Sequence, residues 1–394
     1  MTTRLRVGFV IDVDEAWLGG INYYRNLITA IYDDPQRRVD VVLIVGNKVN
    51  PSQLQGFPAA EIVHSALIDR SGLPRRFRRR FLRLFGRDVL LQRLLSKHRI
   101  DVLSHYGDVV GRNARTSVMA WIPDFQHLHL PAHFTDFERD ERNAIFRRLA
   151  SNSDLVILSS ECAQADLVGV FPEAGSRSEV LRFVPHVDVQ QALPSLDDLE
   201  RRHGFRAPFI YLPNQYWAHK NHRVVIEALG ILKQQGREVK VVSTGSPTDY
   251  RNPDHYPALE KRIAELGIGD RYIRLGVVPY SDLLALMKES VCLINPSLFE
   301  GWSTTVEEAR AMDKFILLSD IPVHREQTPQ KSAFFGIDDA AKLADLMWAQ
   351  WQVYVSENAA DRAWTGLSNA HAARRTAFAR RYDEIVSRVR AEAH

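Results

Sequence analysis

The sequence predicts an α/β protein built from two successive doubly wound domains, each a parallel sheet covered by helices on both faces. Three observations carry this expectation. The chain has 394 residues, more than the roughly 250–300 at which a single core stops growing. Short apolar runs without polar alternation recur with helical patterns between them, as strands buried on both faces require. The whole pattern then starts afresh after a polar stretch at 188–207.

In chain order, 5–11 (LRVGFVI), 39–45 (VDVVLIV), 101–104 (DVLS), 118–122 (VMAWI) and 154–159 (DLVILS) read as the first set of strands, with helical patterns at 21–32 and 136–151. In the second half FIYLPN, KVVSTG, YIRLG, VCLINPS and KFILLSD are the strand candidates. Helical segments fall near 222–235, 256–267, 280–289 and 305–312. A boundary near 205 follows, with domains at 1–205 and 206–374 and a basic helical segment, 375–394, at the end.

The 45% hydrophobic and 25% charged content is that of a soluble globular protein. Cys162 and Cys292 each sit inside or beside an apolar run. A disulfide framework is therefore not expected, a reducing compartment is, and both read as small core residues. No stretch approaches the roughly 18 consecutive apolar residues of a membrane-spanning helix. The start, MTTRLRVGFVIDV, runs into a strand pattern without a signal-peptide core, so the expected location is cytoplasmic. Net charge is only +3, but Asp69 to Arg99 holds eleven Lys and Arg against Asp69 and Asp88. One segment makes the chain basic.

Ligands of open α/β sheets bind beyond the carboxyl ends of the strands, and four motifs fall there. In DEAWLGGINYYRNL, Gly19-Gly20 precedes a helix expected from Ile21; it reads either as a tight turn or as a close backbone approach to an anionic group at a helix start. In WIPDFQHLHLP, Asp124, His127 and His129 share a loop. Their spacing matches no zinc pattern, so hydrogen bonding to a sugar hydroxyl, or orientation of a nucleophile, is the preferred reading over a metal site. In YLPNQYWAHKNHRVVIEAL, Lys220 stands directly before a helix. There it is either a solvated lysine or a cation that joins the helix N-terminus in neutralising a diphosphate.

The fourth motif is SLFEGWSTTVEEAR, at 297–310. Thr304-x-x-Glu307 reads as a capping box, which leaves Glu307 without a chemical role. Glu308 is rotated by about 100° around the helix and Glu300 precedes the turn, so capping explains neither carboxylate.

Together these residues resemble a GT-B-fold retaining glycosyltransferase of the glycosyl transferases group 1 family, which is marked by Glu-x7-Glu, here Glu300-GWSTTVE-Glu308. The resemblance runs along essentially the whole chain: the Gly-Gly loop, SDLVILSSECAQADL, QYWAHKNH, RLGVVPYSDLLALM, PSLFEGWSTTVEEARAM and SDIPVHREQ occur in family order. It implies two Rossmann-like domains with an interdomain cleft, an acceptor-side domain first and a nucleotide-sugar domain second, and a last helix that crosses back to the first domain. It also implies that Glu308 binds the ribose hydroxyls of the donor and that Glu300 lies near the transferred hexose. Lys220 would hold the diphosphate, with amides around Gly301, Ser303, Thr304 and Thr305, while Gly19 and Gly20 approach the donor from the other domain. His127 is the candidate for contacting the sugar at the reaction centre, with Asp124 its rival. Two departures bear on the donor: Gln215 stands where many members have an Arg, and Gly301-Trp-Ser-Thr-Thr replaces Gly-Phe-Gly-Leu-Pro.

Departure of a nucleoside diphosphate builds negative charge on phosphate, so the site needs cations and amide dipoles there. No Asp-x-Asp motif stands convincingly at a strand end, since Asp12-Val13-Asp14 belongs to the Gly-Gly loop. Transfer without metal or other cofactor is expected. Retention is implied by the resemblance alone. The donor is expected to be GDP-mannose or a UDP-sugar, and the pathway cell-surface polysaccharide or lipopolysaccharide assembly. Alternatives are a GT-B sugar-nucleotide hydrolase or epimerase, or a non-catalytic basic binding protein.

In LPRRFRRRFLRLFGR, Phe77, Phe81, Leu84 and Phe85 interleave with Arg75, Arg76, Arg78, Arg79, Arg80, Arg83 and Arg87. This is a basic amphipathic helix suited to an anionic membrane surface, the expected docking site for a lipid-linked or glycan acceptor. A solvated helix covering the sheet is the plainer reading. No nucleic-acid motif accompanies the charge, so nucleic acid is not an expected partner, and a peripheral place on the inner face of the cell membrane is.

Overall fold

Seven short runs, β1 (Leu5–Ile11), β2 (Val39–Val45), β3 (Glu61–His64), β4 (Val102–Ser104), β5 (Ser117–Ile122), β6 (Leu155–Leu158) and β7 (Ser178–Val180), form one sheet in the order β3-β2-β1-β4-β5-β6-β7. All neighbours pair in parallel. The computed structural model describes residues 4–12, 18–58, 60–69, 72–111, 115–188, 193–327, 329–357 and 364–392, except the side chains of 18, 19, 75, 79 and 83. Of the Asp12-Val13-Asp14 stretch, residues 13 and 14 lie outside them.

The second sheet comprises β8 (Ile210–Leu212), β9 (Val241–Ser243), β10 (Tyr272–Arg274), β11 (Leu293–Asn295), β12 (Ile316–Ser319) and β13 (Ser332–Phe335). Its order is β10-β9-β8-β11-β12-β13, again parallel throughout. Along β8, Ile210 and Leu212 join one buried cluster with Val241 and Ile294, while Tyr211 joins another with Val242 and Leu293. Successive side chains point to opposite faces of a strand, and here both faces are core. That is why these strands read as unbroken apolar runs.

In both sheets the first strand has neighbours on either side that leave it in opposite directions, β2 and β4 around β1, and β9 and β11 around β8. This reversal of strand order opens a crevice at the carboxyl ends, where such folds bind ligands.

The chain divides into two units: Met1–Pro131, Thr135–His186 and Ala372–His394 form the first, Ala132–Phe134 and Val187–His371 the second. The division falls before the expected boundary near 205 because the helix Leu196–His203 packs on the second sheet. Leu199 is buried beside Phe209 and Leu286, and Asp282 takes Arg202 and His203 at 2.6 and 2.8 Å. In the first unit the closing helix Asn369–Glu392 contributes buried Tyr382. Its hydroxyl donates to Ser104 Oγ at 2.8 Å, and Ser104 in turn lies 2.7 Å from His105 Nδ1. Cys292 is buried, but Cys162 is only half-buried, which corrects its reading as a core residue. Among the described residues no helix is long and apolar enough to cross a membrane.

Candidate functional site

The reversal between β8 and β11 brings two of the motifs together. After β8 the chain runs through a 3-10 turn, Ala218–Lys220, and Asn221 in the left-handed region (φ 51°) into the helix His222–Gln234. After β11 it runs through Ser297 and Glu300 to the helix Thr304–Ala311. Lys220 Nζ donates to Glu300 Oε1 at 2.7 Å. The Ser297 hydroxyl lies 2.6 Å from the same oxygen and 2.7 Å from Asn295 Oδ1. Asn214 donates to that Asn295 oxygen at 3.2 Å, and Asn295 Nδ2 donates to Ser303 Oγ at 2.7 Å. The two loops are further tied where the Leu298 amide donates to the His219 carbonyl at 2.7 Å.

Gly245 sits behind this loop with φ 139°, and a Cβ there would lie 2.5 Å from the Asn214 carbonyl oxygen. Only glycine tolerates that backbone and that approach. The neighbouring Gln215, which stands where many group 1 sequences have Arg, accepts the Ser246 amide at 2.6 Å. Its side chain fastens the loop.

The two motif carboxylates differ in charge state. Burial alone would raise the Glu300 carboxyl, but the Lys220 ammonium and the Ser297 hydroxyl outweigh it and hold the group down at about 2. Glu308 is also buried, and among the described residues no cation pairs with it. Burial pushes it up to about 7, only partly opposed by the Tyr280 hydroxyl, which donates to Oε1 at 2.8 Å. His219 is held neutral by burial first and by the Lys220 charge second.

The helix cap is not the one expected. Ser303, one residue earlier than Thr304, is the N-cap, and its hydroxyl accepts the Val306 amide. Thr304 is exposed as the first helical residue, with Gly301 and Thr305 half-buried. Glu307 is fully buried and accepts from Gln327 Nε2 at 3.2 Å, with Arg310 at 4.0 Å. Gln327 also donates to the Ser303 carbonyl at 3.0 Å. Glu307 therefore braces the helix against the segment after β12. Sequence reasoning gave no role to Asn214, Asn295, Ser297, Gln327 and Tyr280; four of them stand inside the motifs quoted above, but as neutral residues whose partners arrive from other elements.

In the first unit Asp124, Arg142 and Asp166 all act on His127 through their charges. Asp124 accepts the Gln126 amide at 2.9 Å and lies 4.0 Å from Arg142. His127 is buried, with Nε2 2.9 Å from Asn143 Oδ1 and its ring edge-on to Phe146. His129 pairs with Asp166 at 2.8 Å. Among the described residues no group of three or more His, Cys, Asp or Glu is placed to hold a metal ion. Gly19 and Gly20 lie inside the helix Leu18–Asp33, in its first turn, which corrects the expected Gly-Gly loop ahead of Ile21. At the strand reversal of this sheet stands His105 instead, buried with φ 55° and 2.9 Å from the Tyr23 hydroxyl.

The basic helix is real and spans Leu73–Phe85. Leu73, Phe77, Leu84 and Phe85 are exposed, as are Arg76, Arg80 and Arg87, and Phe81 stacks on Phe85. Arg78 is not a docking residue. It turns inward, to Asp88 and the Leu67 carbonyl at 2.7 Å and to the Tyr106 hydroxyl at 2.8 Å. The side chains of Arg75, Arg79 and Arg83 lie outside the described residues.

Two parallel six- and seven-stranded units of this order define a GT-B-fold protein. The fold matches the crystal structure of a glycosyltransferase from Rickettsia africae ESF-5, with a TM-score of 0.68 over 98% of each chain at 15% identity. It also matches sucrose-phosphate synthase from Thermosynechococcus elongatus, at 0.66 over 99% of this chain and 100% of that one, with 15% identity. A third match is Anabaena HepE in complex with UDP and glucose, at 0.60 over 99% and 98% with 16% identity.

Residues 198–347, within the second unit, match the family model described as Glycosyl transferases group 1. A stretch of 123 residues, 31% of this chain, is 26% identical to the O-antigen chain mannosyltransferase RfbU of Salmonella typhimurium and spans 33% of that relative.

Proposed function

We propose that the protein is a retaining hexosyltransferase that moves a sugar from a nucleoside diphosphate to a glycan or lipid-linked acceptor. The observation that carries this is the Lys220–Glu300 pair at 2.7 Å beside the carboxyl ends of β8 and β11, with Glu308 on the helix that starts just after the same loop. Lys220 supplies the charge for the departing diphosphate, and amides around Gly301, Ser303, Thr304 and Thr305 supply dipoles. Glu308 takes the ribose, and Glu300 the hexose.

In the reaction the bond from the anomeric carbon to the β-phosphate oxygen breaks and the bond to the acceptor oxygen forms on the same face. The acceptor's proton passes to the departing phosphate oxygen, which needs no dedicated base. Neither metal nor cofactor takes part, so EDTA should leave turnover unchanged.

The RfbU relative favours GDP-mannose and O-antigen assembly, while the HepE complex with UDP and glucose favours a UDP-sugar. Incubation with each donor and a lipid-linked acceptor should release nucleoside diphosphate only when acceptor is present, with the donor's anomeric configuration kept in the product. Acceptor-independent consumption would instead identify a hydrolase or epimerase.

The exposed Phe77, Leu84 and Phe85 among Arg76, Arg80 and Arg87 support docking to the anionic inner face of a cell membrane. Each such arginine contributes about 1 kcal/mol near that surface. Charge reversal at Arg76 and Arg80 should weaken flotation with phosphatidylserine vesicles at unchanged melting temperature. Arg78→Ala should lower the melting temperature, because it strands buried Asp88.

A further inference from the structure

Glu308 has one hydrogen-bond donor among the described residues, Tyr280, the first residue of the helix Tyr280–Glu289. Its hydroxyl occupies Oε1 at 2.8 Å, and no described hydrogen bond reaches Oε2. Pro279 immediately precedes Tyr280 at the helix start and restricts its own φ, while the Glu308 contact holds the Tyr280 hydroxyl. The other titratable group facing Glu308 is Tyr211 of β8, whose hydroxyl is engaged 2.7 Å from Thr244 Oγ1. Tyr280 thus fixes one oxygen of this carboxylate and opposes the rise that burial imposes on it.

We propose that Tyr280 is a positioning residue for donor binding: it holds Oε1 of Glu308 so that Oε2 is presented to a ribose hydroxyl. This rests on the reading of Glu308 as the ribose-binding carboxylate. A ribose hydroxyl donates its proton to a carboxylate better than to a carboxylic acid, so the interaction requires Glu308 ionised. Burial pushes Glu308 up to about 7 and the Tyr280 hydrogen bond opposes that rise. The sign follows. Nucleotide affinity climbs as pH rises through neutrality and then levels off, and loss of the Tyr280 hydroxyl moves that climb to higher pH.

The test is calorimetric titration of the full chain with UDP and GDP and with their 2′,3′-dideoxy analogues, between pH 5.5 and 9. For the wild type, the ribonucleotide that binds should weaken below neutral pH, and its dideoxy analogue should bind about tenfold less tightly at pH 8 and show no such slope. Tyr280→Phe should shift the midpoint to higher pH and shrink the ribose-to-dideoxyribose gap, and Tyr280→Gln, which restores a donor, should recover part of both. A merely structural tyrosine would lower the melting temperature in Tyr280→Phe and leave midpoint and gap alone, which overturns the proposal. Should Tyr280→Phe fail to fold, the wild-type pair decides, because parallel pH curves for ribose and dideoxyribose overturn it equally. If neither UDP nor GDP binds the wild type at any pH, the donor-site reading itself falls and this inference with it.

Discussion

Glu300 and Glu308 lie within one motif, are both buried, and are driven in opposite directions, one down to about 2 and the other up to about 7. The difference is a cation. Lys220 reaches Glu300 from the loop after β8, whereas among the described residues the hydrogen-bond donor to Glu308 is the phenol of Tyr280. Burial penalises charge in both cases, and whichever neighbour arrives from elsewhere in the sheet sets the outcome. A carboxylate fixed in its ionised form suits a permanent electrostatic task, and one poised near neutrality suits a contact that depends on pH.

Removing the cation should break the comparison most severely. Lys220→Ala leaves Glu300 buried without its partner and should cost about 3–5 kcal/mol of stability. Turnover should fall by on the order of a hundredfold or more, and near-normal activity in that variant would end the role assigned to Lys220.

Next in size is the pH dependence of folding. Glu300 is depressed, so its contribution is present above its unfolded value and lost as pH falls from about 4.5 toward 2. Glu308 is raised, so the folded state binds its proton more tightly and stability declines as pH rises from about 4.5 to 7. Glu308→Gln should remove that decline, on the order of 3 kcal/mol, and leave the acid limb in place, as read by urea denaturation across pH.

Ser297→Ala should cost about 1–3 kcal/mol, since it deprives the buried Glu300 oxygen of a hydroxyl, and should raise the midpoint of the acid limb. The smallest effect is expected from Ser303→Ala. Loss of that N-cap should cost about 1 kcal/mol, whereas Thr304→Ala should cost less; equal costs would restore Thr304 as the cap.

Much of the fold was legible because strands buried on both faces write continuous apolar runs, and β1 and β2 begin and end where those runs do. The edge strands β3, β7 and β13 were not. Glu61–His64 buries only Val63, Ser178–Val180 has three residues, and Ser332–Phe335 buries only Phe335, so none leaves a strong apolar signature.

The site was half legible. Lys220 stood out as a cation directly before a helix start, and Glu300 and Glu308 as carboxylates that helix capping leaves unexplained. Asn214, Asn295 and Ser297 did not, because a neutral polar residue at a strand end looks the same whether it faces water or organises a carboxylate. The cap was misplaced by one residue because Ser303 and Thr304 are both good N-caps, and local spacing cannot show that Gln327 takes Glu307. Arg78 likewise reads as one more surface arginine until Asp88 and Tyr106 are seen around it.

The most direct measurement is the thermal stability of wild type and Lys220→Ala in the presence of UDP, GDP and their sugar conjugates. A nucleotide at about 100 times its Kd should stabilise the wild type by roughly 2.7 kcal/mol and leave Lys220→Ala nearly unmoved. A wild-type melting temperature indifferent to every nucleotide, or an equal shift in both proteins, would contradict the assignment of the Lys220–Glu300 loop pair as a donor site.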